Sequence, residues 1–140
     1  MKKDAARKKF QVHSDLPQVQ STSLQVLEFL KPLALNEAEI FDVRLCLEEA
    51  LINAMKYGNR LQKELPVELD VQFDDEELRI AIEDRGAGFD VKALEDCTQE
   101  KNLLKARGRG IFLIRQLMDK IQYNDKGNAL VMVKFLAAKG

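Results

Sequence analysis

The sequence of 140 residues predicts an α+β fold, a two-layer sandwich with about three helices on one face of a mixed, mostly antiparallel sheet. Three observations predict it. Two early segments space their apolar residues three and four apart, as amphipathic helices do. A middle segment changes to strict alternation on both sides of an acidic turn, as a hairpin does. A third helical stretch then leads into a last pair of alternating segments. A chain of 140 residues is about one domain and buries a core without staples, so residues 1–140 are read as a single unit.

The first strand is short, carried by Phe10 and Val12 and extending toward Leu16. Pro17 opens a helix over 17–31, with Val19, Leu24, Leu27 and Leu30 on its apolar side, and Pro32 breaks it. Asn36 suits an N-cap, and Glu39 completes a capping box. The long helix that follows runs over 37–57, and Gly58-Asn59 stops it. Val67, Leu69, Val71 and Phe73 alternate with polar residues, and Leu78, Ile80 and Ile82 do so again after Asp74-Asp75-Glu76-Glu77. Residues 85–108 have no firm period, hold three glycines and many charges, and read as a long loop with one short helix near 91–94. A helix over 109–120 precedes a strand pair at 121–123 and 130–136.

Composition excludes several function classes. The chain is 46% hydrophobic and 32% charged, which is globular rather than disordered. Its net charge of -1 gives no field for nucleic acid or an anionic membrane, so neither is an expected partner. The basic start, Lys2, Lys3, Arg7, Lys8 and Lys9, has no apolar run behind it and reads as a flexible leader over residues 1–9, not a signal peptide or a span. Cys46 and Cys97 fit no metal spacing, and His13 stands alone, so a zinc site and a Ser/His/Asp triad are set aside. With no secretory segment and no disulfide framework, a cytoplasmic location is expected.

Three segments carry chemistry. Glu49 and Asn53 are an i, i+4 pair on the side of the long helix opposite Val43, Leu47, Ala50 and Leu51. Such a stripe is either a solvated face or a site in which Asn53 gives a neutral oxygen to Mg²⁺ and Glu49 handles a proton. The run "EDRGAGFD" ends a strand on Asp84 and then loosens the backbone at Gly86 and Gly88, which suits a hairpin or a loop close to a ligand. Gly108 and Gly110 open the third helix beside Arg107 and Arg109, where free N–H groups and positive charge favour an anion. Neither a Walker A motif nor a dinucleotide fingerprint is present.

Together these segments resemble the GHKL ATPase superfamily, and within it the small bacterial anti-sigma-factor serine/threonine-protein kinases, over about residues 10–135. "EEALINAMKYGN" resembles the N box, "EDRGAGFD" the first glycine box, and "GRGIFLIRQLMD" the second glycine box with its helix. The resemblance implies a histidine-kinase-like ATPase fold that binds ATP with Mg²⁺. It implies that Asp84 reads the adenine amino group, that Gly86 and Gly88 shape the pocket and that Phe89 packs beneath it. Asn53 matches the Mg²⁺ ligand, Glu49 the general base (Glu48 less so), and Gly108 and Gly110 the glycines beside the phosphates. Residues 91–108 match the ATP lid. Arg107 and Arg109 lie near the place of a γ-phosphate sensor without clear alignment. Asn128-Ala129 stands where relatives carry threonines that approach adenine.

The function so implied is that of an ATP-dependent protein-serine kinase and anti-sigma factor. It would phosphorylate a serine of an anti-anti-sigma (STAS-type) protein and sequester a sigma factor. Two alternatives stay open: a detached histidine-kinase catalytic domain acting on a separate His-bearing protein, and a nucleotide-dependent binding module without turnover. Relatives act as homodimers, and the apolar side of the first helix serves either such a contact or the sheet.

Overall fold

The alternation at 67–73 becomes β2 (Pro66–Phe73), and it sets the two-layer arrangement. In the computed structural model, which describes residues 5–86 and 106–136, Val67, Leu69, Val71 and Phe73 are all buried on one face of this strand. β3 (Glu77–Glu83) repeats the pattern with Leu78, Ile80 and Ile82. Asp74 closes the hairpin, its Oδ1 accepting the N–H groups of Glu76 at 2.7 Å and Glu77 at 3.0 Å.

With β1 (Ala6–His13), β4 (Lys120–Tyr123) and β5 (Ala129–Phe135), these strands form one sheet in the order β1-β2-β3-β5-β4. Every pair among the described residues is antiparallel. β1 begins earlier than expected. Arg7 lies within it and forks onto Asp70 of β2 through Nε, at 2.9 Å from Oδ1, so the basic leader read over residues 1–9 gives way to a strand from Ala6 onward. The Arg7 hydrogen bond holds the Asp70 carboxyl below its usual range.

α1 (Pro17–Phe29) stops short of residue 31, and Pro32 sits in a 3₁₀ turn, Lys31–Leu33. Val19, Val26 and Leu30 are buried by α1, and Leu27 packs at the edge of the core. Leu24, expected on the same side, is 54% exposed. The core therefore accounts for most of this apolar face.

α2 (Glu37–Asn53) starts on the expected capping box. Asn36 Oδ1 accepts the Glu39 N–H at 2.8 Å, and Glu39 Oε1 accepts the Asn36 N–H at 2.9 Å. Its last stretch is not α-helical as read from the sequence. It widens into a π-helical turn, Ala54–Gly58, closed by the Asn59 N–H on the Ala54 carbonyl at 2.8 Å. α3 (Ala106–Leu117) starts and ends about one turn before the expected 109–120, because Lys120 is taken into β4. The predicted short helix near 91–94, Gly88, Phe89 and Cys97 lie outside the described residues, as does most of the segment matched to a lid.

α2 is the central helix of its layer, packed against α1, α3 and β3. Leu47, Leu51 and Met55 share one core with Leu69, Ile80 and Met132, all at most 1% exposed. Each such side chain contributes about 1.5–3 kcal/mol through burial. Among the described residues no helix is long and apolar enough to cross a membrane.

Candidate functional site

The pleat of β3 decides where Asp84 points. Side chains two apart share a face, so Asp84 continues the inward row of Leu78, Ile80 and Ile82 although the ladder ends at Glu83. The carboxylate is 7% exposed, and its Oδ1 accepts the Gly86 N–H at 2.8 Å. Gly58 lies against it so tightly that a Cβ there would overlap the Asp84 carboxyl group, and a Cβ on Gly86 would overlap the Gly58 carbonyl. The sequence marks Gly58 only as a helix stop. Its second role comes from the π-helical turn that swings it beneath Asp84.

The backbone of Asp84 is held by the turn between β4 and β5. The Asp84 N–H donates to the Asn128 carbonyl at 2.9 Å, and Asn128 Nδ2 donates to the Asp84 carbonyl at 3.0 Å. Asn128 Oδ1 accepts from Asn124 Nδ2 at 2.7 Å. Asn124 Oδ1 in turn accepts the N–H groups of Gly127, Asn128 and Ala129, with Gly127 at φ 82°. Asn128, expected to stand beside adenine in place of a threonine, has both polar atoms of its side chain engaged in this network. It borders the pocket and acts there by fixing Asp84.

Glu49 and Asn53 face α3. A Cβ on Gly110 would stand 2.8 Å from Glu49 Oε2 and 3.1 Å from Asn53 Nδ2, so the glycine at the start of α3 sits directly over the pair. Asn53 is only 8% exposed, which removes the solvated-stripe reading. Its Nδ2 is buried and has no hydrogen-bond partner among the described residues. A buried amide without a partner costs about 1–3 kcal/mol unless a ligand serves it. Glu48 is committed elsewhere, accepting from Ser23 Oγ at 2.7 Å and Arg44 Nε at 2.9 Å. Cys46, one turn before Glu49, is fully buried, and burial pushes its thiol up to about 12.

Asn53, Asp84 and Asn128 border one pocket whose apolar walls include Ile82, Ile111 and Tyr123. Convergent polar groups over an apolar lining suit a flat ligand with one polar edge. Tyr123 was not among the residues singled out from the sequence, since one aromatic in a short strand gives no signal. Of the residues assigned from the two glycine boxes, Asp84, Gly86 and Gly110 are brought to the site. Arg107, Gly108 and Arg109 belong to the first turn of α3. Among the described residues no three acids, histidines or cysteines form a metal cluster.

Comparison with known proteins gives the family of the chain. The family described as histidine kinase-like ATPase domain matches residues 12–134. The serine-protein kinase RsbW of Listeria monocytogenes serovar 1/2a is 25% identical over 107 residues, covering 71% of this chain and 68% of that protein. The serine-protein kinase RsbW of Staphylococcus epidermidis is 28% identical over 106 residues, covering 70% and 67%. That of Listeria innocua serovar 6a is 24% identical over 107 residues, covering 71% and 68%.

Proposed function

The chain belongs to the family of histidine kinase-like ATPase domains, and from that premise we propose that it is an ATP-dependent protein-serine kinase and anti-sigma factor. It transfers the γ-phosphate of ATP to a serine of an anti-anti-sigma (STAS-type) protein and sequesters a sigma factor. The observation that carries the reading is the placing of Glu49 and Asn53 under Gly110, with Asn53 and Asp84 lining one pocket. The relatives named serine-protein kinase support it.

Asp84 offers a carboxylate to the adenine amino group, its aim set by Gly58, Gly86 and Asn128. The phosphates run toward the first turn of α3, where N–H groups without helical partners favour negative charge. Arg107, Gly108 and Arg109 belong to that turn, and Gly110 follows it.

Mg²⁺ fits the residues present. The orphaned position on Asn53 is an amide whose oxygen and nitrogen exchange by a simple flip. Asn53 would hold the ion through that oxygen, and Mg²⁺ is suited to a site with few protein ligands. The ion would supply positive charge to offset that of the phosphates. Glu49, beside Gly110 and without the side-chain partners that hold Glu48 among the described residues, orients the acceptor serine and takes its proton. Catalysis on this plan is positioning and charge neutralisation.

The test mixes the protein, labelled ATP with Mg²⁺ and STAS proteins of the same genome. Alkali-labile, acid-stable label on a serine is the expected result. Acid-labile label would mean phosphohistidine and overturn the serine assignment. No label on any STAS protein, with ATP bound, would leave a binding module.

A further inference from the structure

We propose that Asn59 is a positioning residue that fixes the peptide after Asp84 and thereby sets selectivity for adenine over guanine. The inference rests on the nucleotide reading of the pocket given above.

Asn59 is 1% exposed. Its Nδ2 donates toward three oxygens, Ser14 Oγ at 2.9 Å and the carbonyls of Leu65 and Pro66 at 3.1 Å each. Its Oδ1 accepts the Arg85 N–H at 2.7 Å. One side chain therefore ties the end of β1 and the start of β2 to the residue that follows Asp84. Arg85 lies beyond the β3 ladder, where no strand partner continues to hold the chain. Its guanidinium donates to Glu68 Oε1 at 3.0 Å, so main chain and side chain are both anchored.

The local route of the chain serves this grip. The π-helical turn delivers Gly58 and Asn59 side by side, the first against the Asp84 carboxylate and the second against the next peptide. The chain then leaves through Arg60 and Leu61 at φ 52° and 58°. Left-handed backbone is unfavourable for such residues, and strain of this kind clusters at functional sites. Asn128 holds the Asp84 peptide from the other side. Asp84 thus sits between two asparagine contacts, one on its own main chain and one on its neighbour's.

Selectivity follows from chemistry. A fixed carboxylate accepts from the amino group of adenine, whereas guanine presents an oxygen at that position and leaves two acceptors facing each other. If the 84–85 peptide can shift, the carboxylate retreats, and both purines are accommodated.

The test is the ratio of ATP to GTP dissociation constants, measured by calorimetry with Mg²⁺. Partial unfolding weakens both nucleotides by the same factor, so it cancels in the ratio. The wild type is expected to prefer ATP, and Asn59→Ala to lose about tenfold or more of that preference. Ser14→Ala, which removes one Nδ2 partner and spares the Arg85 contact, is expected to keep it. An unchanged ratio in Asn59→Ala, or an equal loss in Ser14→Ala, would overturn the assignment. Should Asn59→Ala fail to fold, hydrogen exchange of the wild type decides: the Arg85 amide is expected to be protected, and exchange at the rate of an open amide would overturn the proposal. A wild type that binds both nucleotides equally overturns the selectivity alone. One that binds neither overturns the nucleotide reading itself.

Discussion

A Cβ on Gly110 would stand 2.8 Å from Glu49 Oε2, closer than a carbon and a carboxylate oxygen settle. The crowded atom is the far end of a flexible side chain, so Glu49 can move and the fold survives. Alanine is the better helix former by about 1 kcal/mol. Gly110→Ala is therefore expected to keep or raise the melting temperature while lowering phosphotransfer at least tenfold. Calorimetric melting and a labelled-ATP assay on one preparation check it; an unchanged rate would separate Gly110 from Glu49.

Gly58→Ala meets a harder neighbour. The Asp84 carboxylate is short, buried and already bonded to the Gly86 N–H, so it has little room to retreat. Overpacking of this kind costs about 1–3 kcal/mol. Both stability and ATP affinity are expected to fall, in contrast to Gly110→Ala. Denaturant unfolding with and without ATP measures the two losses, and full ATP affinity in Gly58→Ala would show that Asp84 is not the group that binds.

The adjacent glutamates give opposite expectations. Glu49→Ala is expected to bind ATP normally and to lose about a hundred- to ten-thousand-fold in phosphotransfer rate. Glu48→Ala removes the acceptor shared by Ser23 Oγ and Arg44 Nε. It is expected to lose about 1–3 kcal/mol of stability with little change in rate per folded molecule. The reverse pattern would exchange their roles.

What the sequence made legible follows from local rules. Period two placed the β2–β3 hairpin and ran through Ile82 to Asp84, and Asn36 with Glu39 announced the start of α2. What it hid depends on segments far apart. A helical wheel of α2 leaves Asn53 open between a solvated stripe and a site, because the wheel does not contain α3, which covers that stripe through Gly110. Gly58 and Asn59 read as a stop signal, since nothing near them announces contacts with Asp84 and Arg85. Arg7 looked like part of a solvated leader because its partner, Asp70, becomes visible only when β1 and β2 are paired. Asn128 stands out by its place in the chain, whereas its hold on the Asp84 carbonyl joins segments that the sequence keeps far apart.

Cys46 gives a prediction about pH. Its thiol is pushed up to about 12, first by burial and then by Asp42, against about 8.5 in an unfolded chain. Below the unfolded value both states hold the proton and no linkage arises. Above it the unfolded state releases the proton first, so the contribution of this thiol to stability declines as pH rises from about 9 toward 12. The advantage of wild type over Cys46→Ala in denaturant unfolding is expected to be constant from pH 6 to about 8 and to narrow above 9. In a Cys97→Ser background, where Cys46 is the remaining thiol, labelling by a thiol reagent at pH 8 is expected to proceed only as fast as the core opens. Rapid labelling of the folded protein would mean that the environment of Cys46 is open to water, and the packing of α2 against β3 and α3 would have to be redrawn.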